Sequence, residues 1–222
     1  MFAKISEIFE SIQGEGIYLG ERQVFIRFFG CNLKCSYCDT PLVDFREYGI
    51  SELKSAIARY GGFHSVSLTG GEPLCQAGFL EAFLESAEGS GLRFYLETNG
   101  TLPSELERVI GRIDIVCMDF KLPSSGGGQE FWKEHEQFLM TASKKEVFVK
   151  MVVTAATQGC DVAASADVIA RVRPDVPVVL QPDGLQWSEL LEKMIAFKNV
   201  LERRGVRRVK MLPQAHKLVG IK

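Results

Sequence analysis

From Gln23 onward, short apolar and β-branched runs alternate with longer stretches whose apolar residues recur every three or four positions. Runs of the first kind suit buried strands, and stretches of the second suit helices with one apolar side. The pattern predicts strands over residues 24–29, 66–68, 94–96, 115–118, 147–153, 178–180 and 209–212. Helices are predicted over 51–60, 77–88, 103–110, 129–142, 163–172 and 187–204. The last of these carries Leu190, Leu191, Met194, Ile195, Val200 and Leu201 at helical spacing, with Gly205 placed to end it. Strands and helices in this alternation indicate an α/β fold of parallel strands joined by crossover helices. No internal repeat or low-complexity segment interrupts it, and no linker is longer than Gly126-Gly127-Gly128, so residues 1–222 are expected to form one domain.

Polar residues cluster directly after the predicted strands. In order they are Cys31, then Thr69-Gly70-Gly71-Glu72, Glu97-Thr98-Asn99-Gly100, Asp119 with Lys121, Thr154, Gln181-Pro182-Asp183, and Gln214 with His216. In a parallel barrel these positions share one mouth, where turns vary freely above a rigid sheet and active sites are built.

Composition narrows the choice of partners. A formal net charge of −2 over 222 residues gives no general attraction to nucleic acid or an anionic membrane. The basic group Arg203, Arg204, Arg207, Arg208 and Lys210 is interleaved with or preceded by Glu189, Glu192 and Glu202, and reads as a solvated helix end. No apolar stretch reaches the ~20 residues of a membrane span, and the opening residues lack a secretory segment, so a cytoplasmic protein is expected. A chain of this length buries enough surface not to need cross-links. In a reducing compartment its six cysteines are then available for metal binding or catalysis.

Three of the six lie on one short run, Gly30-Cys31-Asn32-Leu33-Lys34-Cys35-Ser36-Tyr37-Cys38-Asp39-Thr40. Three neighbouring thiolates can hold three irons of a cubane and leave the fourth open. A structural zinc site needs a fourth ligand. None is close in sequence: Cys75, Cys117 and Cys160 are isolated, and His64 is far along the chain. A zinc-binding domain completed by a distant residue remains the alternative from another functional class.

The cysteine spacing, with the aromatic Tyr37 before the last cysteine, resembles the hallmark of the radical S-adenosylmethionine (radical SAM) superfamily. Thr69-Gly70-Gly71-Glu72-Pro73 is similar to its second hallmark, which binds the methionine end of the cofactor. The resemblance implies a partial (βα)6-type parallel barrel, a 4Fe-4S cluster on Cys31, Cys35 and Cys38, and S-adenosyl-L-methionine as cofactor. Glycine lets backbone pass close to a ligand, and the Glu72 carboxylate is suited to accept from the cofactor's ammonium.

Within the superfamily the chain resembles the 7-carboxy-7-deazaguanine synthases. The likeness runs through Ser11-Ile12-Gln13-Gly14-Glu15-Gly16, Arg27, Asp39-Thr40, Glu97-Thr98-Asn99-Gly100, Gln214 and His216-Lys217. It implies rearrangement of 6-carboxy-5,6,7,8-tetrahydropterin to 7-carboxy-7-deazaguanine with loss of ammonia, in queuosine-type 7-deazapurine synthesis. By the same resemblance Ile12, Gln13, Gly14, Glu15, Arg27, Thr69, His216 and the carboxylate of Lys222 fall at substrate positions. Tyr37, Asp39, Gly70, Gly71, Glu72, Glu97, Asn99, Asp119, Lys121, Gln181, Pro182, Asp183 and Gly184 fall at cofactor positions. Thr40 falls at a magnesium ligand. A homodimer, a flavodoxin as reductant and a C-terminal tail closed over the pterin are implied too. Asp119-Phe120-Lys121 stands where many members read Ser-Pro-Lys, which loosens the transfer of adenosine contacts there. A glycyl-radical activating enzyme shares the cysteine spacing and the Gly-Gly-Glu-Pro turn, but Gln13-Gly14-Glu15-Gly16 and the His216 tail argue against it.

Overall fold

The structure, a computed structural model, describes residues 1–40 and 43–220. Nine strands form one sheet: β1 (Phe2–Ile12), β2 (Arg22–Phe28), β3 (Arg46–Gly49), β4 (Ser65–Gly70), β5 (Phe94–Thr98), β6 (Ile115–Asp119), β7 (Glu146–Val153), β8 (Pro177–Pro182) and β9 (Arg208–Met211), in the order β3-β1-β2-β4-β5-β6-β7-β8-β9. From β2 to β9 all neighbours are parallel, and β1 runs antiparallel to both β2 and β3. The sheet is open, since β3 and β9 do not pair. This is the expected α/β class with all seven expected strands.

The helices are α1 (Ile50–Ile57), α2 (Ala77–Ser86), α3 (Pro103–Val109), the short α4 (Pro123–Gly126), α5 (Trp132–Ala142), α6 (Gly159–Val172), α7 (Trp187–Arg203) and α8 (Ala215–Val219). Successive long helices pack side by side along one face of the sheet. Among the described residues no helix is long and apolar enough to cross a membrane.

Two strands have no counterpart in the sequence expectation. In β1 the alternation is broken by polar Ser6 and Glu7, where the structure has an irregularity in register between Ile5 and Glu7. Strand β3 has only four residues, too few for a period to emerge. Helix α6 begins at Gly159 rather than at residue 163, and α5 begins at Trp132 rather than at residue 129.

The parallel strands alternate, which sorts their side chains between the two faces. Val66, Leu68, Leu96, Val116, Met118, Val149, Met151, Val178 and Leu180 are buried in the larger core, packed with helix residues such as Leu80, Phe83, Leu139, Ile169 and Met194. On the other face Tyr95, Ile115, Cys117, Phe148 and Val179 form a second apolar cluster. Ile17 and Tyr18, from the turn Gly16–Tyr18, pack on that cluster, with Tyr18 edge-on to Tyr95 at 5.7 Å. Further along the same strands this face turns polar, at Thr69, Glu97, Asp119, Lys150 and Gln181.

Candidate active site

Above the apolar cluster lies a cavity of about 700 Å³. It gathers Ile12, Gln13, Gly14, Glu15, Arg27, Cys31, Cys35, Tyr37, Cys38, Asp39, Thr40, Thr69, Gly70, Gly71, Glu97, Asn99, Asp119, Lys121, Gln181, Asp183 and His216 from the ends of β1, β2, β4, β5, β6 and β8, the loops after them, and α8. Of the residues singled out from the sequence, Glu72, Pro182 and Gly184 do not line it, and Lys222 lies outside the described residues.

Glu72 departs most clearly from its expected place. Its carboxylate is fully buried and accepts from Leu74 N (3.1 Å), Thr98 Oγ1 (2.9 Å) and Asn99 N (2.7 Å). It ties the turn after β4 to the turn after β5 instead of facing the cavity. Burial, partly offset by these donors, pushes its pKa up to about 7. Gly70 also has a reason internal to the fold. It sits at φ +127°, and a Cβ there would meet the Phe28 carbonyl oxygen at 2.2 Å, so the end of β4 can lie against β2 only with glycine.

The cysteine loop is braced on the same turns. Glu72 N donates to Gly30 O (2.9 Å), Asn99 Nδ2 to Asn32 Oδ1 (2.8 Å) and Asn32 Nδ2 to Thr101 Oγ1 (2.9 Å). Asn32 was not anticipated, because its partners are distant in sequence. Burial raises the pKa of the Cys35 and Cys31 thiols. Bound iron would reverse that balance, since a coordinating thiol loses its proton. Among the described residues no three His, Cys, Asp or Glu side chains converge on a point that suits a single metal ion. A cubane binds each thiolate at a different corner, so three thiols on one cavity wall suit it better than they suit zinc.

From Gln214 to Tyr37 of the cysteine loop runs a chain of alternating charge. Gln214 Nε2 donates to Glu15 Oε1 (2.6 Å), and Lys150 Nζ contacts Glu15 Oε2 (2.5 Å) and Asp119 Oδ2 (3.6 Å). Lys121 Nζ then pairs with Asp119 Oδ2 (2.8 Å) and reaches the Tyr37 hydroxyl (3.2 Å), lying 5.1 Å from the centre of that ring. Alternation leaves little net charge in a poorly solvated place, which offsets part of the desolvation cost. Burial alone would raise the Glu15 carboxyl, but the charge and hydrogen bond of Lys150, with Gln214, lower its pKa to about 2. Lys121 and Lys150 are held protonated, because the neighbouring carboxylates outweigh their burial.

A second network anchors the Gln13 loop. Gln13 Nε2 donates to Gln23 Oε1 (2.9 Å) and Glu97 Oε1 (2.8 Å), and Thr69 Oγ1 donates to Glu97 Oε2 (3.2 Å). Arg27 is held through Nε by Glu7 Oε1 (2.9 Å), with its guanidinium 5.6 Å from the centre of the Phe9 ring. The C-terminal segment closes one side. Ala215 N donates to Gly14 O (2.9 Å), Gly184 N to Gln214 Oε1 (2.8 Å), and Lys217 pairs with Asp39 (2.5 Å). His216 lies so close over Gly14 that a Cβ there would be 2.4 Å from its Nδ1.

Among the described residues Asp119 Oδ1 and both amide atoms of Gln181 are buried on the cavity wall without a hydrogen-bond partner of ordinary geometry, although the Gln181 amide lies near enough to Glu15 to help hold its carboxyl ionised. Each such atom costs about 1–3 kcal/mol, so their placement suits a bound molecule that supplies the missing partners.

Residues 25–157 match the Radical SAM superfamily. With its three thiols and unpaired polar atoms around one large cavity at the C-terminal ends of an open parallel sheet, the chain is a radical SAM enzyme, with a 4Fe-4S cluster and S-adenosylmethionine as its cofactors. The 7-carboxy-7-deazaguanine synthase of Geobacter sulfurreducens is 35% identical over 98% of this chain and 97% of its own length. That of Archaeoglobus fulgidus is 34% identical over 100% of both. The crystal structure of QueE from Escherichia coli has the same fold, with a TM-score of 0.64 at 24% identity over 95% of this chain and 94% of that one. The chain belongs to the 7-carboxy-7-deazaguanine synthase family.

Proposed function

We propose that this enzyme converts 6-carboxy-5,6,7,8-tetrahydropterin to 7-carboxy-7-deazaguanine and ammonia in queuosine-type 7-deazapurine synthesis. The observation that carries the reading is the single cavity that brings the cysteine loop together with the Gln13–Glu15 segment, Arg27 and the His216 tail. Cys31, Cys35 and Cys38 would hold the cluster. Tyr37, Asp39, Gly70, Gly71, Glu97, Asn99, Asp119, Lys121, Gln181 and Asp183 would surround S-adenosylmethionine. When bound, this pair supplies one-electron cleavage and hydrogen abstraction, the chemistry that starts the ring contraction.

The chain's own residues bind, orient and exclude water. Arg27, fixed by Glu7, offers a guanidinium to the pterin carboxylate, for which a fork of two parallel bonds is the natural match. Gln13 and Thr69 are locked by Glu97, so their positions are set before substrate arrives, and this lowers the ordering cost of binding. Glu15, kept ionised, accepts from ring N–H groups. His216 and the tail cover the site, with the carboxylate of Lys222 as a further acceptor. Thr40 would contribute one oxygen to a magnesium ion that otherwise keeps waters or substrate oxygens. The homodimer and the flavodoxin reductant rest on the family resemblance, and the single-domain organisation and cytoplasmic setting on the sequence itself.

Anaerobic incubation of the reduced, reconstituted protein with S-adenosylmethionine and the carboxypterin tests the reading. Equal amounts of 7-carboxy-7-deazaguanine and ammonia are expected. Cofactor cleavage without either product would overturn it.

A further inference from the structure

We propose that Lys150 is a positioning residue for the substrate. Its ammonium fixes Glu15 as an anion in one orientation, and so makes the loop after β1 an acceptor for the N–H edge of a planar heterocycle. The inference deepens the pterin reading and rests on it.

Lys150 is the one basic residue in β7, Glu-Val-Phe-Val-Lys-Met-Val-Val, and it points to the same face as Phe148 and Val152. Its register partner on β6 is Asp119. The residue is 8% exposed. A buried ammonium is expensive unless paired, so a lysine here needs the anions around it. Those anions need the lysine equally: without it Glu15, Asp119 and Glu97 would share one cavity, with Lys121 on the far side of Asp119.

Glu15 sits on a loop, not a strand, and its orientation depends on tethers. Its backbone N–H donates to Gln13 Oε1 (3.0 Å), Gln214 holds Oε1 and Lys150 holds Oε2. Each carboxylate oxygen accepts more than one hydrogen bond, which leaves capacity for a ligand. The titratable groups around the Glu15–Lys150 pair are Asp119 and Cys117 from β6 and Glu97 and Tyr95 from β5, with His216 of the tail over neighbouring Gly14. Among the described residues only Lys150 contacts Glu15 as a cation. In Lys150→Met, burial and like charge would protonate Glu15 near neutral pH, and a carboxylic acid presents a donor where the ligand also presents donors.

The test is equilibrium binding of 6-carboxypterin, the oxidised analogue, to the cluster- and S-adenosylmethionine-loaded protein between pH 5.5 and 8.5, read by pterin fluorescence. Lys150→Met should weaken binding by about tenfold or more at the acidic end, which is about 1.4 kcal/mol or more. The gap should narrow as pH rises, because alkali restores the Glu15 anion. Lys150→Arg should bind within a few-fold of wild type throughout. Should Lys150→Met fail to fold, the neutral pair Lys150→Met/Glu15→Gln removes the uncompensated carboxylate and should bind as tightly as Glu15→Gln alone. A ratio between wild type and Lys150→Met that is constant with pH, or further weakening in the double variant, would overturn the inference. Wild-type protein that does not bind 6-carboxypterin at any pH would instead overturn the pterin reading, and this inference with it.

Discussion

His135 offers a test of how the site's supports are built. The residue is fully buried on α5, 4.0 Å from the Phe120 ring between centres, and its Nε2 lies 3.2 Å from the carbonyl oxygen of Asn99. A carbonyl only accepts, so Nε2 carries the proton and Nδ1 is the deprotonated atom. Among the described residues Nδ1 is buried without a partner, and protonation would place a charge there with nothing to receive it. Burial accordingly lowers the pKa from 6.5 to about 4. Below pH 6.5 the unfolded chain takes up a proton that the folded chain refuses, so stability is full above that pH and falls as pH drops from 6.5 toward 4. At pH 5 the loss relative to pH 8 is about 2 kcal/mol from this one group. His135→Gln keeps a donor for Asn99 and cannot titrate. Urea unfolding of both proteins at several pH values isolates the term, because other titrations cancel in the difference. Wild type should lose about 2 kcal/mol more than His135→Gln between pH 8 and pH 5. Parallel stability curves would refute the reasoning.

Three further outcomes follow from the proposed function. Gly14→Ala should force His216 away, raising the KM for the pterin about tenfold while the cluster content is unchanged, since overpacking here costs about 1–3 kcal/mol; an unchanged KM would show that His216 does not cover the substrate. Thr40→Val should raise the magnesium concentration for half-maximal turnover about tenfold, which equals about 1.4 kcal/mol of lost affinity, with reductive cofactor cleavage intact; an unaltered magnesium titration would count against the role. A residue added after Lys222 should raise the pterin KM without loss of the cluster, and equal kinetics for the extended and native chains would remove the tail's carboxylate from the site.

The parts legible in the sequence are those written in local order. Seven parallel strands show themselves because β-branched runs are punctuated by turns. The cysteine loop shows itself because all its thiols lie within eight residues, from Cys31 to Cys38. Orientation was harder to read. The Gly-Gly-Glu-Pro turn is recognisable, yet only the fold reveals that Glu72 faces inward to bind the backbone of Leu74 and Asn99. Lys150 is a charge within the otherwise apolar run 147–153, and it gains meaning only beside Asp119 and Glu15, which are far off in sequence. The roles of Asn32 and His135 are illegible in the sequence for the same reason, since a side chain's partner across the fold leaves no mark on its neighbours. Strand β1 was missed because an irregularity in its register breaks the period on which strand recognition depends.

The central claim is that Cys31, Cys35 and Cys38 together carry the cluster, and iron and acid-labile sulfide per chain measure it most directly. Anaerobically reconstituted wild type should hold about four of each. Cys35→Ala should hold no intact cubane, because a three-thiolate site has no ligand to spare. Cys117→Ala is the sharpest control, since Cys117 lines the same cavity yet is buried in the apolar cluster on β6, and it should retain wild-type iron and sulfide. Full iron and sulfide in Cys35→Ala, or loss of both in Cys117→Ala, would contradict the account.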